Sequence, residues 1–560
     1  MANKFFLASL GCPKNLVDSD ALTEELINSG LSHLDNPENA DILLINTCGF
    51  IEDAKKESIE EILKLAEIKK GQKKMQDARF NPPLSPLSKG GIKGGYRESC
   101  IVNHESKDNN KKLIVFGCLA KRYRDELLNE IPEIDAIFGV GEDDKIVEYC
   151  KNLPIISEGD SPDSTTPLCS VRKSGTVPSH SPIHPFTHSP IHPFTYSPIH
   201  PFTHSPIHPF THSPIHPFSS YAYLKIAEGC SRKCTYCVIP SIRGEYKSIM
   251  PDEIMKKAEG YINAGVKELV LVAQDTASYG KDLNPPEAAD IAALLKDLCS
   301  IKGDFWIRLL YAYPASIKEA LLNVIAGEEK ICKYLDMPFQ HSEDRILKLM
   351  KRGGGRKEYL TLIKKIRRAV PDIALRTTFI AGFPSETEEE FNSLIKFIEE
   401  AEFDRLGAFK YSKEEGTPAS RLKGHLTKTV KNSRFDTIMR CQADISLKKN
   451  KALIGRRFKA VIDEVSEGTA VGRLYSQAPE IDGVVIMEDT RYRMQDSGYN
   501  PPLSPLSKGG IKGGYHASFE LKVNHSPIHR FTHSPVMVGD FVTVEITDVY
   551  DYDLKGIIVR

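Results

Sequence analysis

The stretch EGCSRKCTYCVIPSIRG, Glu228–Gly244, decides how the rest of the chain is read. Within it Cys230, Cys234 and Cys237 form a CxxxCxxC spacing, directly after the apolar run Tyr223–Ala227. Three thiolates this close in sequence can each take one iron of a 4Fe–4S cube and leave the fourth iron open to another ligand. A zinc site closes with four ligands, and no nearby Cys or His completes such a set. Disulfides are the other reading. Twelve cysteines among 560 residues, with no secretion signal, do not make a disulfide scaffold. The leader-like run Phe5–Cys12 is short for a signal core, and it reads as a buried strand ending at a cysteine.

Outward from the motif, residues 221 to about 440 alternate short apolar runs with amphipathic segments. Strands are expected at Glu268–Val272, Trp306–Leu310, Tyr334–Met337 and Leu375–Ile380, and helices at Pro251–Ala264, Ala288–Ser300, Ser316–Ala326 and Arg356–Ala369. Repeated βα units of this length fit a full or partial (β/α) barrel, whose chemistry sits at the C-terminal strand ends. Residues 1–153 alternate in the same way. Strands at Phe5–Leu10, Ile42–Asn46, Leu113–Phe116 and Ala136–Val140, with helices at Leu16–Ser29, Glu52–Lys70 and Arg122–Glu130, imply an α/β domain with a parallel sheet. From about Gly455 the pattern turns to strands alone, as at Phe458–Glu464, Gly483–Met487 and Phe541–Val549, which reads as a small β-barrel.

Three tracts do not belong to these domains. NPPLSPLSKGGIKGGY occurs at Asn81–Tyr96 and again, letter for letter, at Asn500–Tyr515. An octamer SPIHPFTH runs with variations from Ser181 through Ser213 and returns as SPIHRFTH at Ser526–His533. Core side chains adapt to their own neighbours, so verbatim copies at distant places argue against burial, and the dense prolines forbid helix and most sheet positions. The tracts read as solvated, disordered insertions at about 75–110 and 491–535, with an octamer-repeat linker over 154–220. The octamer tracts, His180–His216 and His525–His533, hold twelve of the 17 histidines. Weak metal binding by those histidines is the sharper reading and low-complexity insertion the plainer one. The folded parts are then 1–153, 221–444 and 445–560. A net charge of −1 builds in no overall pull toward nucleic acid or anionic membrane, and no apolar stretch approaches the ~20 residues that span a bilayer.

A second cysteine set is less local. Cys12, Cys48 and Cys118 each stand at the end of an expected strand, in FLASLGC, LLINTCG and LIVFGC. Parallel strands end at one sheet edge, so the three thiols can converge there, and Gly11, Gly49 and Gly117 beside them allow tight turns. Buried free cysteines acting as small hydrophobes are the alternative. Cys100, Cys150, Cys169, Cys299, Cys332 and Cys441 have no such setting and read as structural.

The chain resembles the methylthiotransferase family of the radical S-adenosyl-L-methionine (SAM) enzymes. Within it, the likeness is to the ribosomal-protein aspartate methylthiotransferases. The residues that carry this are LGCPKNLVDSD (Leu10–Asp20), the Glu228–Gly244 motif, AQDTASYG (Ala273–Gly280) and RLLYAYP (Arg308–Pro314). Further matches are YLDMPFQHSEDRILKLMKR (Tyr334–Arg352), FIAGFPSET (Phe379–Thr387) and APEIDG (Ala478–Gly483). The tRNA-modifying sister enzymes tend to show GCQMN, VPYTRG and LPVQSGS where this chain has GCPKN, IPSIRG and MPFQHSE. The likeness covers nearly the whole chain outside the insertions, which depart from the family's pattern.

The resemblance implies two 4Fe–4S clusters. The one on Cys230, Cys234 and Cys237 would bind SAM and yield a 5′-deoxyadenosyl radical. The one on Cys12, Cys48 and Cys118 would carry sulfur, methylated by a second SAM. The target would be the unactivated β-carbon of an aspartate in the twelfth small-subunit ribosomal protein, at the decoding centre. It also implies a TRAM-like terminal barrel, a sulfur donor, an electron donor and a cytoplasmic setting. For SAM contacts the candidates are Gln274 and Asp275 after one barrel strand and Gly382 with Pro384 after another; turn-building is an equal reading for the latter pair. Gln340 and His341 also follow a strand, as substrate or SAM contacts or as a satisfied polar pair. In the terminal barrel, outside its insertion, acids outnumber bases two to one. That suits a basic protein partner better than RNA, whose phosphates favour basic surfaces, though an ordinary acidic surface fits as well. A tRNA adenosine methylthiotransferase and a non-catalytic two-cluster iron–sulfur protein are the competing functions.

Overall fold

A computed structural model describes residues 3–71, 100–101, 111–154, 219–284, 290–466, 469–488 and 536–559. The repeated tracts and nearly all of the octamer linker lie outside the described residues, as does Cys169. The chain forms two compact units. One comprises Met1–Gly11, Ala21–Cys48 and Ser58–Ser213, and the other Cys12–Asp20, Gly49–Glu57 and Pro214–Arg560.

The first unit is built on β1 (Lys4–Ser9), β2 (Ser32–His33), β3 (Ile42–Thr47), β4 (Cys100–Ile101), β5 (Lys112–Gly117) and β6 (Ala136–Ile137), in the order β2-β1-β3-β5-β6-β4. All neighbours are parallel except β4 against β6. Alternate residues serve two cores. Phe6 and Ala8 pack with Leu43, Ile45 and Val115, while Phe5 and Leu7 pack with Leu44, Ile114 and Phe116. Burial on both faces is why these strands read as unbroken apolar runs. Ile62, Leu65 and Ala66 of helix Glu52–Lys69 cover the first core. Leu22 and Leu26, with Ile146 of helix Asp143–Lys151, cover the second. The helix expected at Arg122–Glu130 is two pieces, Cys118–Arg122 and Arg124–Glu130, because Tyr123 leaves helical geometry at φ −129° and caps both. The strand expected to reach Val140 stops at Ile137, ahead of a turn with Gly141 at φ +77°.

In the second unit β7 (Tyr221–Lys225), β8 (Ala227–Glu228), β9 (Lys247–Ser248), β10 (Glu268–Val272), β11 (Trp306–Leu309), β12 (Tyr334–Asp336), β13 (Ala374–Ala381) and β14 (Arg405–Lys410) form the central domain. Two parallel three-stranded sheets, β7-β10-β11 and β12-β13-β14, meet through a parallel bridge between Ile307 and Ile331, giving a partial barrel. The apolar run Tyr223–Ala227 is not one strand but divides at Ile226. Beyond it, β8 turns away to pair with β9. Outward residues such as Leu269, Leu271, Ile307 and Leu375 pack under the helices, whereas Tyr223, Val270, Val272, Trp306 and Tyr334 face inward.

The terminal strands β15 (Arg457–Ser466), β16 (Thr469–Leu474), β17 (Val485–Glu488), β18 (Phe541–Val549) and β19 (Leu554–Val559) close into a barrel in the order β15-β16-β17-β19-β18. This small barrel stoppers the strand N-termini of the larger one. Val461, Ala478, Ile481 and Phe541 join the inward-facing core. Glu268, fully buried at the start of β10, accepts from Arg308 Nε and from Arg473 Nη1, both at 2.5 Å. Burial alone would raise the Glu268 carboxyl; the two guanidiniums overcome it and hold it below its ordinary range. Arg473 also grips Asp463 (2.7 and 2.9 Å). Glu480 accepts from Tyr221 Oη (2.6 Å) and Asp482 from Tyr334 Oη (2.7 Å). Asp463, Glu480 and Asp482 are thus all engaged within the chain; the Asp482 side chain is nearly withdrawn from solvent, whereas Glu480 remains exposed.

Removing one member of such a buried network strands the others. Arg473→Met is expected to cost about 3–5 kcal/mol, against roughly 0.5 kcal/mol for Lys448→Ala in its exposed pair with Glu402, as read by denaturant unfolding.

Candidate functional site

The chemistry-bearing residues collect where β7, β10, β11, β12 and β13 end. After β8 the chain turns through Gly229 at φ +74°, where a Cβ would stand 2.0 Å from the Glu245 carbonyl oxygen, so only glycine fits. Cys230 follows, and its N–H donates to the Gly244 carbonyl (3.0 Å), closing the loop on itself. Cys230, Cys234 and Cys237 are half-buried free thiols. Burial pushes the Cys237 thiol up to about 12 and raises that of Cys230, so coordination would be the event that ionises them. The surroundings favour that ionised form. Ile239 N–H donates to Cys237 Sγ (3.4 Å) and Arg352 Nη1 lies 3.9 Å from Cys234 Sγ. Arg352 is fixed by Pro338 O (2.5 Å), by Tyr236 Oη (3.3 Å) and by the Tyr313 ring. Among the described residues no three Cys, His, Asp or Glu side chains converge on a single-ion site. A cube asks for something different, since each thiolate binds its own iron and the sulfurs stand apart around it.

The second cysteine set begins from strand register. Thr47 pairs with Gly117, so Cys48 and Cys118 follow paired residues at one sheet edge. Gly117, at φ +97°, lets the strands close up; a Cβ there would lie 2.8 Å from Thr47 O. Thr47 Oγ1 donates to Phe116 O (2.6 Å), and Ser58 Oγ donates to Cys48 O (3.1 Å). Both thiols are buried. Cys12 lies two residues beyond Leu10, whose N–H donates to Asn46 O (3.0 Å), and its carbonyl opens helix Pro13–Asn28. Cys150 and Cys332 are core residues.

Gln274, at the end of β10, donates to Glu228 Oε1 (3.0 Å), leaving its own carbonyl oxygen buried without a partner. Asp275 has its carboxylate fully employed. It accepts from Arg232 (2.6 and 3.2 Å), Ser278 (2.6 Å), Ser316 (3.2 Å) and the Tyr313 N–H (3.1 Å), so it anchors the cysteine loop through Arg232. Gly382 and Pro384 lie in a turn held by Glu386, which accepts from Gly382 N–H (2.8 Å) and Phe383 N–H (2.9 Å) and pairs with Arg434. Gln340 adopts φ +71° beside β13. Such strain at a rim position is a feature of functional sites. His341 is fully buried and accepts from Glu343 N–H at Nδ1 (3.0 Å).

Sequence reading missed how Leu10–Asp20 is used. Asp18 accepts from Lys225 (2.5 Å) and Arg243 (3.1 Å), Asn15 from Arg243 (2.5 Å), and Arg243 also reaches Glu228 (2.9 Å). Burial would raise the Glu228 carboxyl, but Arg243 and Lys225 hold it down at about 2. Lys14 donates to Ala273 O (3.4 Å). The signal was present: every one of these residues except Lys225 stands in one of the motifs that carried the family resemblance.

A cysteine loop at the rim of a βα barrel closed by a small β-barrel defines a radical SAM enzyme. Residues 224–398 match the model of the radical SAM superfamily, 4–76 an uncharacterized protein family designated UPF0004, and 454–498 the TRAM domain. A relative in Thermodesulfovibrio yellowstonii, named ribosomal protein uS12 methylthiotransferase RimO, is 44% identical over 99% of both chains. A protein of the same name in Clostridioides difficile is 37% identical over 99% of this chain and 98% of its own. The chain belongs to this family of radical SAM methylthiotransferases, which use an iron–sulfur cluster and SAM. A more distant likeness is to the radical SAM methyltransferase TsrM of Kitasatospora setae, with cobalamin and a 4Fe–4S cluster bound. It is 12% identical over 75% of this chain and 77% of that one, with a TM-score of 0.43.

Burial lowers the His341 imidazole to about 3, so it is neutral in the folded protein while the unfolded chain's histidine protonates near 6.5. Between those values the unfolded state holds the extra proton. Stability from this group is therefore full above pH 6.5 and declines as pH falls, by up to ~1.4 kcal/mol per unit. His341→Gln should flatten that part of a stability–pH profile measured by urea unfolding.

Proposed function

We propose that this chain adds a methylthio group to the β-carbon of an aspartate in the ribosomal protein uS12, the twelfth of the small subunit, at the decoding centre. The reading is supported by the names of its relatives and by the motifs GCPKN, IPSIRG and MPFQHSE. One observation carries the chemistry. The Cys12–Asp20 segment belongs to the same compact unit as the Cys230 loop, and Asp18, Asn15, Arg243 and Glu228 form one polar network between them.

Two 4Fe–4S clusters are proposed, one on Cys230, Cys234 and Cys237 and one on Cys12, Cys48 and Cys118. The donor sets fit: each has three cysteines outside any disulfide, and N–H donors or a glycine turn stand beside the sulfurs. When bound, cluster and SAM supply the one-electron chemistry that removes hydrogen from a carbon no acid or base can activate. The chain's own residues do the rest. Arg232 and Asp275 fix the cysteine loop, Arg352 sets a positive charge beside Cys234, and Gln274 offers an unused acceptor at the rim. The stoppered barrel end leaves the rim as the side for substrate and keeps water from the other. An electron donor and a sulfur donor complete the cycle, in the cytoplasm. Among the described residues no helix is long and apolar enough to cross a membrane. The tRNA alternative lacks support from the motifs.

Mass spectrometry tests the reading. The reconstituted enzyme should add about 46 Da to uS12, one hydrogen replaced by SCH₃. The same shift on a tRNA adenosine instead would overturn it. Cys230→Ala should abolish SAM cleavage, whereas Cys48→Ala should abolish methylthio transfer while the Cys230 set still cleaves SAM.

A further inference from the structure

Lys14 is a buried cation with almost nothing to hold. Its residue is 8% exposed, its ammonium makes one long hydrogen bond, to Ala273 O at 3.4 Å, and it lies 5.0 Å from the centre of the Tyr311 ring. An ammonium carries three donors, and burying it with most of them unused is unfavourable unless an anion arrives from outside. No carboxylate of the described residues pairs with it. The acids around the rim are already committed: Asp18 to Lys225 and Arg243, Asp275 to Arg232, Asp336 to Arg376.

Its position is that of a substrate group. Ala273 directly follows β10 and Tyr311 closely follows β11, both at the rim end. Tyr311 is held in the left-handed region at φ 61°, with its N–H donating to Asp336 (3.2 Å) and its carbonyl accepting from Thr276 N–H (3.2 Å). Along the chain Lys14 stands two residues after Cys12, a member of the second cysteine set. A carboxylate seated on Lys14 therefore lies at the barrel rim, beside the ends of β10 and β11.

We propose that Lys14 binds the side-chain carboxylate of the substrate aspartate and so presents its β-carbon, a specificity that rests on the aspartate reading above. The β-carbon is one bond from the carboxyl carbon, so fixing the carboxylate fixes the reacting atom to within that bond. A neutral amide of the same shape lacks the charge the ammonium requires.

The test uses the full-length reconstituted enzyme and two forms of uS12, with aspartate or asparagine at the target position, measuring Kd by titration and KM by methylthio transfer. The wild type should prefer the aspartate form by about tenfold or more, and Lys14→Met should bind both forms alike, with Lys14→Arg restoring the preference. Lys14→Gln gives the same comparison should the methionine variant not fold. A preference that survives in Lys14→Met or Lys14→Gln overturns the proposal. So does an equal weakening of both forms, which would mean that the ammonium serves the SAM carboxylate or the charge of a cluster. A wild type that modifies neither form would instead sink the aspartate reading itself.

Discussion

The arrangement of the rim depends on one guanidinium. Arg243 is buried, and it holds Asp18, Asn15 and Glu228 at once. A buried cation needs all of its partners, so the three acceptors and the cation are conditions for one another. Two of those acceptors are more than 220 residues away in sequence. Closure over such a distance costs only logarithmically in loop length, which makes the long intervening linker tolerable. The strength of the contact, and not the shortness of the chain between its ends, brings the GCPKN segment to the barrel. Glu228 transmits the same constraint to Gln274, and thereby to the end of β10.

The opposite end of the barrel uses the same physics. Six strands do not close, and an inward face of Tyr223, Trp306 and Tyr334 would otherwise stand open. The terminal β-barrel fills it with Ala478, Ile481 and Phe541, and its polar groups meet Glu268, Arg308 and Arg376. APEIDG is therefore a structural motif as much as a family mark: Glu480 and Asp482 seal the barrel through tyrosine hydroxyls. A charge count over that domain treats Asp482 as surface, although its side chain is nearly buried.

What could be read from sequence was local. The apolar runs at Glu268–Val272 and Phe541–Val549 coincide with strands residue for residue, because side-chain period and length suffice there. A shared sheet edge could also be expected, since parallel strands end on one side, but that β3 and β5 are neighbours with Thr47 opposite Gly117 could not. The rest was not legible because it depends on partners distant in sequence. Asp275 reads as a rim carboxylate open to SAM, yet Arg232, Ser278, Ser316 and Tyr313 occupy it. Arg352 ends one of the family motifs, but nothing in that run marks it as a neighbour of the cysteines, and only the fold sets it beside Cys234. Tyr123 breaks a helix that periodicity alone would continue.

Lys14 shows how the two kinds of information combine. A lysine side chain is flexible, and by itself makes a poor recognition group. Here its neighbours remove the freedom: Asn15 is tied to Arg243, the Asn15 N–H bonds the Cys12 carbonyl at 2.8 Å, and Leu16 and Val17 pack against the inward-facing core. The backbone on the C-terminal side of Lys14 is thus fixed by contacts that Lys14 does not make, and its buried stem leaves the ammonium few places to go. Preorganisation of this kind lowers the entropy lost when an anion binds. The network that docks the segment is therefore also what turns a flexible cation into a selective one.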